Sequence, residues 1–103
     1  MKLKEIAAVI RSKNSGPYEL TLDVMLPTDA LFEKVRSANV INARTIARLY
    51  HIDEEDVISV LDFPKARAIK ATIVRPLASG ALGERDVYGA QQHVPLMELE
   101  VEL

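Results

Sequence analysis

Two short stretches of this chain gather side chains that can do chemistry. The first is Arg11-Ser12-Lys13-Asn14-Ser15-Gly16-Pro17. It places two cations, two hydroxyls and a carboxamide within seven residues, with Gly and Pro to fix a turn. Such a loop can bind a carboxylate or phosphate through the forked donors of Arg11, the point charge of Lys13 and backbone N–H groups near Gly16. Ser12 and Asn14 add neutral hydrogen-bonding groups to this candidate anion site. The glycine spacing and terminal Lys-Ser/Thr of a Walker loop are missing. The bland alternative is a solvated turn in which Asn14 and Gly16 supply positive φ.

The second stretch, Asp86-Val87-Tyr88-Gly89-Ala90-Gln91-Gln92-His93, joins a carboxylate, a phenol, two carboxamides and an imidazole beside a glycine. His93 can act as general acid or base near neutral pH, with Asp86 or Tyr88 setting its tautomer. Tyr88 and His93 are the catalytic candidates, and Asp86, Gln91 and Gln92 the ligand or interface candidates. The alternative is that these groups satisfy backbone polar atoms in an irregular crossing segment. The other histidine, His51, ends a predicted helix far away in sequence. No HExxH, cysteine pair or paired-carboxylate spacing points to a metal, and no nucleophile elbow surrounds a serine; the residues leave the cofactor open.

These stretches need a scaffold, and 103 residues fit a single domain over 1–103 with one core. The hydrophobic fraction is 49% but the aromatic fraction only 5%, so that core is aliphatic. The net charge of −2 and the absence of a basic stripe argue against a nucleic-acid partner. Glu5 and Arg11 bracket too short an apolar stretch for a signal peptide, and no run reaches the length of a membrane span. The absence of cysteine agrees with a reducing compartment. The expectation is a cytoplasmic protein with no membrane contact.

Strict alternation marks strands. Leu20, Leu22, Val24 and Leu26 oppose Thr21, Asp23 and Met25; Met97, Leu99, Val101 and Leu103 oppose Glu98, Glu100 and Glu102. Those three glutamates are solvated or matched by a cationic neighbour. Val57 to Phe63 and Ala66 to Arg75 read as a hairpin across Phe63-Pro64-Lys65. Between the strands, Thr28 is a good N-cap for a helix carrying Leu31, Phe32 and Val35, and Asn42 for one carrying Ile46, Leu49 and Tyr50. Asp53-Glu54-Glu55-Asp56 reads as a surface turn, because four successive acids do not converge on one ion. The segment from Leu3 to Arg11 fits either period, with helix favoured by Leu3, Ile6, Ala7 and Ile10. The long aperiodic stretch between Leu77 and Leu96 is of a kind that often serves function.

Three of these segments also carry a family likeness. Ile10-Arg-Ser-Lys-Asn-Ser-Gly-Pro17, Ala66-Arg-Ala-Ile-Lys-Ala-Thr-Ile73 and Asp86-Val-Tyr-Gly-Ala-Gln-Gln-His93 followed by Pro95-Leu96 resemble the domain of unknown function 4387 family. The likeness runs across nearly the whole chain and brings no assigned reaction. A fainter one is to the small ferredoxin-fold domain that ends acyclic terpene utilisation proteins. That domain opens on Arg-Ser-Gly-Asp-Lys-Gly, from which Lys13-Asn14-Ser15 departs. The resemblance implies a small subunit that docks on a larger one, and turns Leu3 to Arg11 towards a strand hairpinned to Glu19–Leu26.

The expected architecture is a two-layer α+β sandwich, ferredoxin-like, its mainly antiparallel sheet covered on one face by helices. The expected function is an accessory subunit of a two-component metabolic enzyme acting on a small carboxylic acid or thioester. The alternatives are a stand-alone homo-oligomeric lyase or hydratase with His93 as base, and a non-catalytic module that binds small anions.

Overall fold

The computed structural model describes residues 1–16, 18–74 and 94–102. A short helix α1 (Leu3–Ile6) leads into strand β1 (Val9–Asn14), which turns back into β2 (Glu19–Met25). Helices α2 (Asp29–Ala38) and α3 (Ala43–Tyr50) follow, then the hairpin of β3 (Val57–Phe63) and β4 (Ala68–Val74), and finally α4 (Val94–Met97). The four strands form one antiparallel sheet in the order β1-β2-β4-β3, so the fold is α+β. Taken cyclically, this is the order a ferredoxin-like sheet has when its last strand is moved to the front.

Apolar alternation explains the sheet's orientation. Leu20, Leu22 and Val24 pair with Ile73, Ala71 and Ile69, and all six are buried on one face. Phe32 and Val35 from α2 and Ile46 from α3 close over them in a single cluster with Leu3, Ile6, Leu96 and Val101. The helices begin where the capping residues dictate. The Leu31 amide donates to Thr28 Oγ1 at 3.1 Å, and the Thr45 amide to Asn42 Oδ1 at 2.9 Å. Both end on a left-handed residue, Asn39 at φ 52° and His51 at φ 56°. The Tyr50 phenol is largely buried, which raises its pKa, and a hydrogen bond from the Leu96 backbone links α3 to α4. The acidic run becomes a single 3-10 turn, Glu54–Asp56, as expected of a surface turn.

Two expectations are corrected. Leu3 to Arg11 is neither one helix nor one strand: Leu3–Ile6 is helical and buries Leu3 and Ile6, and the strand starts at Val9. Its hairpin with Glu19–Met25 forms as expected, in the register Val9↔Met25 to Asn14↔Leu20. The C-terminal alternation does not add a strand to the sheet. Leu99 and Val101 are buried and Glu98, Glu100 and Glu102 exposed, but the segment pairs with the N-terminus instead. The Leu3 amide donates to the Leu99 carbonyl at 2.8 Å and the Val101 amide to the Met1 carbonyl at 2.7 Å, around an isolated Lys2↔Glu100 bridge. Period-two burial needs only an extended segment with one side on the core, and a sheet is one of several ways to provide it. No helix among the described residues is long and apolar enough to cross a membrane.

Candidate functional site

Strand geometry divides the basic segment near the N-terminus. Residues 11–14 are not a turn, as their polarity suggested, but the last four residues of β1. Successive side chains of a strand point to opposite faces. Ser12 and Asn14 therefore share the face of Leu22 and Leu20, under the helices, while Arg11 and Lys13 stand on the other face with Asp23 and Thr21. The turn itself begins at Ser15, whose amide donates to the Glu19 carbonyl at 3.0 Å. Gly16 adopts φ 117°, which a side chain would strain, and is exposed. Asn14 has no positive φ. The five anion-binding candidates are thus split three ways: two cations on the open face, two polar residues beneath the sheet and one glycine in the turn.

The open face builds a more focused site around Arg11. Its Nε donates to Asp23 Oδ2 at 3.0 Å across the β1–β2 pair. Asp23 is only 6% exposed, whereas the Arg11 side chain is 56% exposed, so the guanidinium caps a sunken carboxylate and still reaches solvent. On the other side of β2, register places Lys70 opposite Asp23. Lys70 Nζ also lies 6.0 Å from the centroid of the Phe63 ring, within reach of its negative π face. Met25, Ala66 and Ala68 complete a depression of about 170 Å³. Further along the same face Thr21 donates its hydroxyl to the Lys13 carbonyl at 3.2 Å, which fixes β1 against β2. Two cations over one carboxylate leave the depression with excess positive charge. Its lining holds no imidazole, hydroxyl or thiol, so among the described residues it can bind and orient an anion rather than attack one.

Asp23 and Lys70 were not singled out from the sequence. Each was visible as the one charged residue inside an otherwise apolar or small strand stretch, Leu20–Leu26 and Ala68–Val74. What joins them is the β2–β4 register, a pairing between segments far apart in the chain. Asp86, Tyr88, Gln91, Gln92 and His93, the second set of candidates, lie outside the described residues.

A second charged group ties the chain ends. Lys2 Nζ and Lys4 Nζ donate to the two oxygens of Glu98 at 2.6 and 2.9 Å. These hydrogen bonds, Lys2 first, hold the Glu98 carboxyl down to about 2. Of the C-terminal glutamates, Glu98 and, through the Met1 ammonium, Glu100 are thus matched by cations rather than only solvated.

No curated protein and no solved structure matches the chain. A family model does match, over residues 3–100, and it spans both the basic strand and the hairpin that supplies Lys70. The chain therefore belongs to the family described as Domain of unknown function (DUF4387).

Proposed function

We propose that this chain is the small, accessory subunit of a two-component metabolic enzyme acting on a small carboxylic acid or its thioester. The anionic end of the ligand and the larger subunit would meet on the open face of the sheet. The Arg11–Asp23–Lys70 group carries the reading. A sunken carboxylate holds one guanidinium in place, and a second cation stands across the strand, a fixed donor arrangement suited to a carboxylate. Phe63 and Met25 supply an apolar wall for a short carbon chain.

Size argues for a partner. Pockets that enclose small ligands run from about 300 to 1,000 Å³, and this depression measures about 170 Å³. Among the described residues nothing covers a ligand seated in it, and a partner protein would supply that cover. Val9, Leu61 and Phe63 are exposed apolar residues on the same face, and supply contact area for that second wall. The resemblance to the terminal domain of acyclic terpene utilisation proteins suggests a partner like their large domain.

The test is capture from the native host with a tagged chain. The reading expects a larger protein to be retained at low salt, and to be lost when Lys70→Glu and Val9→Asp are introduced together into a chain that still folds. Arg11→Ala should lower the turnover of the complex while leaving the two chains associated. Recovery of the tagged chain alone at every salt concentration would overturn it.

A further inference from the structure

The sheet ends on two unlike edges. β1 carries Arg11 and Lys13, charged side chains of the kind that discourage another strand from adding. β3 carries one charge, Asp62, within Val57–Phe63. Ile58, Leu61 and Phe63 on this strand are 51%, 52% and 43% exposed, three of the seven large hydrophobic residues exposed among the described residues. The apolar exposure is therefore concentrated at this edge. No described strand lies beyond β3. Alternate residues of an antiparallel strand aim their N–H and C=O away from the neighbour they already have. Beneath the edge, Val35, Arg36 and Ile41 on the helical side face Val57, Val60 and Asp62 across a groove of about 380 Å³, which leaves room for the side chains of an added strand.

Charge identifies the occupant. Asp53, Glu54, Glu55 and Asp56 immediately precede β3, and Lys65 and Arg67 follow it. Antiparallel addition sets the start of one strand beside the end of the other. When the added strand is a second β3 related by a two-fold axis at Val60, the acidic turn Glu54–Asp56 of one copy lies beside the turn Pro64–Ala66 of the other, which carries Lys65 and is followed by Arg67. The symmetry repeats this match at the other end of the contact. In the same register Asp62 faces Ile58 rather than its own copy, so no like charges oppose.

We propose that β3 is the contact between two copies of this chain, joined antiparallel into one continuous sheet. The acidic turn before the strand and the basic turn after it set the register. The contact shares Phe63 with the wall of the open-face depression, whereas Glu55 and Lys65 lie outside that lining, so substitutions at those two test the contact alone.

Sedimentation of the purified chain across a wide concentration range tests it. The wild type should behave as a dimer. Glu55→Lys and Lys65→Glu should each raise the dissociation constant about tenfold, the scale of two exposed like-charge contacts. Combining them should restore dimerisation, a rescue that general damage to the fold would not give. Leu61→Lys should yield a monomer with an unchanged circular-dichroism spectrum. A wild type that is monomeric at all concentrations overturns the proposal. So does a dimer that none of these substitutions weakens.

Discussion

Arg11 and Asp23 face one another across β1 and β2 on the side of the sheet that the helices leave open, with Nε 3.0 Å from Oδ2. The carboxylate is buried and the guanidinium is not. Removing Arg11 therefore strands an acceptor, whereas removing Asp23 frees a cation that water can solvate. Arg11→Ala should destabilise the chain by about 1–2 kcal/mol in urea unfolding, the scale for orphaning a sunken acceptor. Arg11→Lys should lose less. An Arg11→Ala chain as stable as the parent would mean that Asp23 is solvated after all.

The two N-caps should matter separately. Thr28→Ala and Asn42→Ala each remove a side-chain acceptor from the first turn of α2 or α3 and should cost about 1 kcal/mol. At the other end of α3, His51 holds φ 56° without being glycine. His51→Gly should raise stability by about 0.5–1 kcal/mol, because the left-handed region is unfavourable to a residue with a Cβ. Thermal melts of the three variants check the start of α2 and both ends of α3.

Phe32 is the largest fully buried side chain among the described residues and packs where α2 meets the sheet. With an aromatic fraction of only 5% the core has few large residues to spread into a void. Phe32→Ala should cost about 3–5 kcal/mol, and Ile73→Val only about 0.5–1.5. Equal losses would show that the core collapses around the larger cavity.

Glu98 makes stability depend on acid. Its carboxyl is depressed from the ordinary 4.5 to about 2 by Lys2 and then Lys4, so the folded chain binds this proton less readily than the unfolded one. The contribution is complete above about 4.5 and disappears as pH falls towards 2. Melting curves of Glu98→Gln and the parent should differ at neutral pH and converge near pH 2. Added salt should shrink the difference, since both lysines and the glutamate are exposed.

Much of the scaffold was legible because it rests on local signals. The alternation of Leu20, Leu22, Val24 and Leu26, the caps Thr28 and Asn42 and the turn at Pro64 each act within a few residues, and each forms as read. The ends of the chain were less so. Leu99 and Val101 announce burial, but not that their partner is the backbone of Met1 and Leu3 rather than a strand of the sheet. At the candidate site, the polarity of Arg11, Ser12, Lys13 and Asn14 suggested one loop surface, whereas pairing with β2 turns the four alternately up and down. Asp23 and Lys70 become neighbours only through the register of β2 on β4, which no local pattern states.

The most direct measurement is amide chemical-shift mapping by NMR as a short-chain carboxylate such as butyrate is titrated into the isotope-labelled chain. The account predicts weak, saturable shifts clustered at Arg11, Asp23, Phe63 and Lys70, abolished in Lys70→Ala and Arg11→Ala. Shifts centred elsewhere, or none while those four amides stay fixed, would contradict it.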